Sequence, residues 1–132
     1  MIPCQARNLQ PDRGSAVVDF ALVGGLLTVL FAAVLQLALT LYVRNMLVSC
    51  AAEGARYAAR ADRAPADAVP ETVELVRQTL GRRYARQVTA SVEQVDGVRT
   101  VVVRVAAPFP VIGLVGPARA IHASGHAFAE VQ

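Results

Sequence analysis

Hydrophobic residues form one uninterrupted block near the N-terminus of the chain. Residues 20–43 read FALVGGLLTVLFAAVLQLALTLYV and carry no charge. As a helix they would extend about 36 Å, and a bilayer core is about 30 Å thick. A helix crosses lipid readily because it satisfies its own backbone hydrogen bonds. The rest of the chain is too small to surround such a helix, so the block predicts one membrane span rather than a buried core helix.

Beyond residue 43 the pattern predicts that the same helix continues as an amphipathic one. Small and apolar residues recur there at intervals of three and four, which is the helical period. Pro65 and Pro70 predict the end of this helix and a loop over residues 63–70. We therefore expect one helix over residues 15–62. Its apolar stripe consists of Leu47, Cys50, Gly54, Tyr57, Ala58 and Ala61.

The C-terminal part, residues 71–132, predicts a small α+β domain. A second helix is expected from Glu71 to about Tyr84, and alternation over residues 88–95 then predicts a strand. Asp96-Gly97 is a strong hairpin signal. Further strands are expected over residues 99–107 and 119–131, separated by an apolar, glycine-containing loop. The predicted fold class is a membrane-anchored α+β chain, with a short helix packed on a three-stranded antiparallel sheet.

Composition narrows the range of functions. All 13 basic residues are arginine, the net charge is +3, and the arginines are scattered rather than clustered with aromatic residues. Such a pattern favours a solvated or lipid-headgroup-facing surface and predicts no nucleic-acid partner. The two cysteines, Cys4 and Cys50, flank the apolar block, so no disulfide is expected. Residues 47–50 resemble a lipobox, but Arg44 and Asn45 interrupt the apolar stretch before it.

Candidate catalytic and metal-binding groups are few. His122 and His126 would bind one metal only on a helix, because on a strand they stand about 13 Å apart. Ser124 lies between them without a nucleophile motif, and the chain has no phosphate-binding loop and no dinucleotide-binding motif. We therefore expect no catalysis, no metal, no cofactor and no small-molecule substrate.

The residues before the apolar block allow two interpretations of Asp19. If the helix begins at Ser15, this serine caps it and Asp19 lies near the positive end of the helix dipole. If the chain is instead cut between Gly14 and Ser15, the new amino group could pair with Asp19 of a packed neighbour, and residues 1–14 would be a leader. Ala21 and Gly25 have the spacing that lets two helices approach closely, although a flexible lipid helix fits equally. Gln36 could hydrogen-bond a neighbouring helix.

Two motifs together resemble a known family. The stretch RGSAVVDFALV resembles the processing site of type IV prepilin-like proteins, and more narrowly that of the TadE-like pseudopilins of tight-adherence (Flp) pilus systems. Gly14 stands before the cut, Asp19 is fifth in the mature chain, and the aromatic Phe20 follows. Family members usually have Glu where this chain has Asp19. The second motif, AAEGARYAA at residues 51–59, is similar to a stretch typical of the family and includes Glu53, Gly54, Ala55, Arg56 and Tyr57.

The resemblance implies a structural role. Its expected partners are membrane lipid, a prepilin peptidase and other pilin or Tad assembly subunits, and the chain would be a non-catalytic minor pilin or pseudopilin of an adhesive pilus or secretion apparatus. Counting arginines would place the C-terminal side in the cytoplasm, a rule that weakens for long domains. The resemblance places the N-terminus inside and the C-terminal domain outside the cytoplasm. The alternative is an unprocessed single-pass protein whose outer domain binds a partner in a secretion or envelope complex.

Overall fold

A computed structural model describes residues 13–110 and 120–129 of the chain. Most of the predicted leader, the apolar loop after Pro110 and the outer ends of the third predicted strand lie outside these residues. The described elements are, in order, helix α1 (Arg13–Ala58), helix α2 (Ala68–Thr79) and strands β1 (Gln87–Val95), β2 (Val98–Pro108) and β3 (Ala120–Phe128), with short 3₁₀ turns at Pro65–Asp67 and Arg82–Tyr84.

These elements confirm the predicted fold class: one long apolar helix, one short helix and a three-stranded antiparallel sheet. The chain divides into two units, residues 1–35 and residues 36–132. The described part of the first unit consists of the N-terminal part of α1. The second unit contains the rest of α1 and all other elements, and we call it the folded unit.

In the first unit the helix exposes nearly all of its apolar side chains. Phe20 is 81% exposed and Phe31 is 70% exposed. Burying apolar surface stabilises a protein by about 25 cal/mol per Å², so a helix that leaves so much of it exposed needs an apolar environment outside its own unit. The exposed large side chains of this unit are Val17, Val18, Phe20, Leu22, Val23, Leu26, Leu27, Val29, Leu30, Phe31, Val34 and Leu35.

The folded unit has one hydrophobic core between its helices and one face of the sheet. Leu47 and Ala51 from α1, Val76 from α2 and the odd-numbered valines of β2 are almost fully buried. Side chains on a strand alternate between faces, so Val101, Val103 and Val105 point to the same side while Arg104 is exposed. Valine and alanine supply most of this core, which is therefore thin and requires close backbone approaches.

The sheet has the order β1-β2-β3 with continuous antiparallel pairing. The β1–β2 hairpin turns at Asp96 and Gly97, whose φ angles are +52° and +79°. Positive φ at both central residues is the signature of a type I′ turn, which Asp-Gly favours because its twist matches that of the flanking strands. The hairpin predicted from the sequence is confirmed.

Helix α2 differs from its predicted bounds at both ends. It begins at Ala68, so Pro70 lies in its first turn instead of in a loop through residue 70. Proline is tolerated there because the first turn has no internal acceptor for its missing N–H. The helix ends at Thr79 because Gly81 adopts φ +96°, and the predicted end at Tyr84 is wrong. Tyr84 belongs to the following 3₁₀ turn and is buried.

The C-terminal end of the predicted membrane span belongs partly to the folded unit. Val43 is 3% exposed within the core, and Leu39 packs against the same core. Hydropathy alone cannot separate a side chain buried in protein from one buried in lipid, because both environments are apolar. After residue 36 the apolar block therefore packs on one side only: Leu39 and Val43 meet the core, whereas Leu37, Leu41 and Tyr42 remain exposed.

Candidate functional site

The predicted processing site lies on the N-terminal end of α1. The helix already includes Arg13, so Ser15 lies within it and is not its N-cap, which contradicts the capping interpretation. Gly14 and Ser15 are exposed, and a side chain added at Gly14 would meet no atom within 4 Å.

The predicted assembly residues follow within the next three turns. Asp19, Phe20, Ala21 and Gly25 are all exposed in the first unit, and Gly25 has open space where a side chain would stand. Residues separated by four positions share a helix face, so Ala21 and Gly25 form one small-residue surface. The carboxylate of Asp19 is thus available to a group on another chain.

In the first unit the apolar stretch of α1 runs from Ala16 to Leu35 and is interrupted by one charged residue, Asp19. Its length along the axis is roughly 30 Å, which equals the thickness of a bilayer core. Among the described residues, α1 is the one helix long and apolar enough to cross a membrane. The chain is accordingly suited to single-pass membrane anchoring near its N-terminus.

Gln36 marks the start of the folded unit. Its side-chain amide donates a hydrogen bond to the backbone carbonyl of Pro110. Within this chain the acceptor belongs to the segment that follows β2, and the hydrogen bond to a neighbouring helix stays a prediction. Thr40 adds a local bond from its hydroxyl to the carbonyl of Gln36. Gln36 thus links α1 to the segment that follows β2.

The second family motif lies on α1 inside the folded unit. Glu53 and Arg56 are exposed and form the expected i,i+3 ion pair, with 3.6 Å between carboxylate oxygen and guanidinium nitrogen. Exposed pairs of this kind contribute only a few tenths of a kcal/mol. Tyr57 is half-buried, and the guanidinium carbons of Arg60 and Arg63 lie 5.8 and 4.6 Å from its ring centroid. The polar side of the motif therefore faces solvent.

The small residues of this motif allow α2 to approach α1. A Cβ atom at Gly54 would lie 1.9 Å from the hydroxyl oxygen of Thr72 and 3.2 Å from the carbonyl oxygen of Ala68. Ala55 is fully buried beside it. The Thr72 hydroxyl donates to the Ala68 carbonyl at 2.7 Å, which satisfies it inside the contact. Gly54 is needed because any larger residue would push the two helices apart.

A second glycine makes the equivalent contact on the sheet, and sequence reasoning missed it. A Cβ at Gly125 in β3 would lie 2.2 Å from the backbone nitrogen of Ala52 and 2.3 Å from the carbonyl carbon of Ala51. The strand backbone thus rests directly on the helix backbone. A glycine inside a strand often marks such an approach, and that signal was present in the sequence.

The candidate residues for metal binding and lipidation lie on β3 and α1. His122 and His126 lie exposed on β3. Cys50 is a free thiol, 7% exposed, within α1. Residues 13–110 and 120–129 contain no group of three or more His, Cys, Asp or Glu side chains that could hold a metal ion.

The outer face of the sheet carries a polar network. Arg104 donates to the Glu93 carboxylate at 2.6 Å and to the Ser91 hydroxyl at 3.0 Å. The Arg104 hydrogen bond is the main cause of the lowered pKa of Glu93. An open depression of about 680 Å³ lies beside it and includes Arg86, His122 and Ser124 in its lining. This face therefore offers charged and hydrogen-bonding side chains, of which Arg104 and Glu93 are already paired with each other.

Comparison with known proteins gives one match. Residues 14–56 match the family described as TadE-like protein. No curated protein and no solved structure matches the chain. The matched residues run from Gly14 of the predicted processing site to Arg56, so they include nearly all of the first motif and residues 51–56 of the second.

Proposed function

We propose that the chain is a minor pilin or pseudopilin. The premise is that the chain belongs, through its TadE-like domain, to the TadE-like family of Tad/Flp pilus systems. In this role it works by packing against other subunits and catalyses no reaction. The family is a pilus-associated structural family and is not known for enzymes. The observation that carries the proposal is the apolar helix ahead of the folded unit, nearly all of whose large side chains are exposed.

The first step of the proposed function is processing. A prepilin peptidase would cut between Gly14 and Ser15 at the cytoplasmic face of the membrane. The support is the small, exposed Gly14, which offers no side chain to obstruct a protease at that bond. The N-terminus would lie in the cytoplasm and the folded unit outside it. The folded unit is too large and polar to share the bilayer with α1.

The second step is the axial alignment of neighbouring subunits. Cutting leaves a charged amino group on Ser15, close to apolar surface where an unpaired charge is costly. The exposed Asp19 carboxylate of a neighbouring subunit would neutralise it. Two opposite charges in an apolar setting attract strongly, so the pair would fix the axial offset between adjacent helices. Ala21 and Gly25 would let those helices approach closely.

The third step transfers the apolar surface from lipid to protein. In the membrane, the side chains of residues 14–35 would contact acyl chains. In the assembly, the same side chains would be buried against other subunits, so little apolar surface meets water at any stage. The folded unit would supply lateral contacts outside the bilayer.

The mass of the protein recovered from membranes of a producing cell tests the proposal. A chain that begins at Ser15 supports the pilin function. Expression in a cell that lacks the prepilin peptidase should then give the longer chain, which keeps residues 1–14. A chain that keeps residues 1–14 in the presence of the peptidase contradicts it and favours an unprocessed single-pass protein. A lipid-modified Cys50 terminus would exclude both functions.

A further inference from the structure

Strand β3 forms one edge of the sheet and directs backbone hydrogen-bonding groups away from it. In the described part of the chain its sheet neighbour is β2 alone. The Ala129 amide donates to the Arg99 carbonyl at 2.8 Å, in the same register as the β2–β3 ladder. Ladder bonds alternate along an antiparallel strand, so the odd-numbered residues of β3 bond β2 and the even-numbered ones direct N–H and C=O outward. The outward-directed residues are Ala120, His122, Ser124, His126 and Phe128.

This edge lacks the features that usually keep a strand from pairing with another chain. Charged side chains, proline, bulges and short length protect exposed edges. Residues 120–128 contain no Asp, Glu, Lys, Arg or Pro, and they pair with β2 without a bulge. At the opposite edge, β1 carries Glu93 and is contacted by α2 and by the 3₁₀ turn Pro65–Asp67. Of the two edges, β3 is therefore the one suited to accept a further strand.

Helix α1 forms a floor under this edge. The backbone of Gly125 rests on Ala51 and Ala52, so α1 lies directly beneath β3. A strand added beside β3 would turn every second side chain toward this floor. Near Phe128 the floor opens into a depression of about 390 Å³. Its lining residues are Arg56, Ala59, Arg60, His126, Ala127 and Phe128.

The depression favours a negatively charged group. None of the described residues that line it is acidic. Arg60 stacks on Tyr57 and has no carboxylate within ion-pair distance among the described residues. Arg56 pairs with Glu53, but this pair is solvent-exposed and therefore weak. A carboxylate that enters the depression would gain charge-assisted hydrogen bonds from guanidinium groups.

A second copy of this chain does not fit the edge through its own β3. Neighbouring strands lie about 4.8 Å apart, whereas the axes of packed helices lie about 8–10 Å apart. Because α1 lies beneath β3, pairing two β3 strands about a twofold axis would bring the two α1 helices closer than helices can pack. A single extended segment brings no helix beneath it, so it avoids this clash.

We propose that β3 binds an extended segment of another protein, which adds antiparallel as a fourth strand. The residue opposite Gly125 would be Gly or Ala, because α1 leaves no room for more. The residue opposite Ala127 would be Asp or Glu, because it faces the positively charged depression. Backbone hydrogen bonds supply affinity in this mode of recognition, and alternate side chains supply specificity. The proposal uses only residues of the folded unit and depends neither on membrane insertion nor on the pilin function.

A synthetic peptide tests the proposal on the full, isotopically labelled chain in detergent micelles. The probe is Thr-Thr-Glu-Thr-Ala-Thr-Thr with both ends blocked, which places Glu opposite Ala127 and Ala opposite Gly125. We expect the NMR signals of the Ser124, His126 and Phe128 amides to shift. At saturation these amides should exchange with solvent about ten-fold more slowly, because they become hydrogen-bonded, while the amides of β1 stay unchanged.

Variant peptides test the two specificity positions and the backbone pairing. Leu in place of Ala should weaken binding by about ten-fold or more, because it would overlap α1. Gln in place of Glu should weaken it by about three-fold, the effect of one exposed ion pair. N-methylation of the central threonine, which lies opposite His126, removes one strand-to-strand hydrogen bond and should abolish binding.

Variants of the protein test the same contacts from the other side. Ser124→Pro removes an outward N–H and no bond to β2, so it should abolish binding while the amide signals of β2 stay dispersed. Ser124→Ala keeps that N–H and should bind normally. Arg60→Gln should remove the preference for Glu over Gln in the peptide. Arg82→Gln also neutralises an exposed arginine, outside the depression, and should keep the preference.

Three results would overturn the proposal. The first is that the probe leaves the outward amides of β3 unshifted. The second is equal binding of the peptide with Leu in place of Ala. The third is slow exchange of these amides without any peptide: if it is independent of protein concentration, the chain itself covers the edge, and if it grows with concentration, a second copy does.

Discussion

Gly54 and Thr72 form the contact that brings α2 onto α1, with the Thr72 hydroxyl oxygen only 1.9 Å from the position a Cβ at residue 54 would occupy. Gly54→Ala should therefore destabilise the folded unit by about 1–3 kcal/mol, the usual cost of overpacking a buried contact. Chemical unfolding of the full chain in detergent measures it. Because the nearest atom belongs to a side chain, Thr72→Ala should recover part of the loss in the double variant. Strict additivity of the two changes would contradict this contact.

Gly125→Ala should cost more than Gly54→Ala. The added Cβ would lie 2.2 Å from the backbone nitrogen of Ala52, and backbone atoms cannot rotate away. The expected loss is about 3 kcal/mol or more, at the upper end of overpacking effects. The same unfolding experiment measures it, with the exposed neighbour Ser124→Ala as the control. A variant as stable as that control would mean that β3 does not rest on α1.

The Glu93–Arg104 pair should make stability depend on pH on the acid side. The hydrogen bond from Arg104 lowers the pKa of Glu93 in the folded state. A lowered folded pKa gives a stabilising contribution that is complete above the unfolded pKa and is lost as pH falls through the folded pKa. NMR titration of the Glu93 carboxyl carbon should show this low midpoint, and Arg104→Gln should move it up toward the ordinary value. An unchanged midpoint in the variant would disprove the pairing.

Replacing Gly14 with Leu should block proteolytic processing. The proposed cut follows this residue, and a peptidase that accepts glycine there has little room for a branched side chain. The mature mass should then keep residues 1–14 while membrane insertion is unaffected. Gly25→Leu serves as the control because it also adds a side chain to open space on the same helix and leaves the cut unchanged. Normal processing of the Gly14 variant would exclude this cleavage site.

Asp19→Ala should impair incorporation into the assembly and leave insertion intact. The carboxylate is exposed in the first unit, and its proposed partner is the amino group of Ser15 on a neighbouring subunit. Asp19→Glu keeps the charge and should retain most of the incorporation, whereas Asp19→Asn should behave like Ala. The measurement is the fraction of the subunit that co-fractionates with assembled pili. Equal incorporation of all three variants would show that the charge of Asp19 has no role in aligning the subunits.

Local chemistry let the sequence predict much of the fold. The Asp96-Gly97 turn, the alternation in the strands and the long helical period depend on neighbouring residues, so a single sequence contains the necessary information. The predicted bounds of α2 differ from those in the structure at both ends. The predicted loop through Pro70 is wrong because proline also suits a first helical turn, and the helix ends at Thr79 because Gly81 adopts a positive φ.

The sequence by itself determined that the chain has an apolar helix able to cross a membrane, a family motif at each end of the matched region, and an antiparallel sheet. Only the tertiary structure decided which apolar side chains of that helix pack against protein, as Leu39 and Val43 do, and which remain exposed. Val43 is apolar in either setting, and transfer from water into any apolar environment is favourable, so composition cannot distinguish them. The roles of Gly54 and Gly125 likewise needed the tertiary structure, because each depends on a backbone that is distant in sequence and close in space.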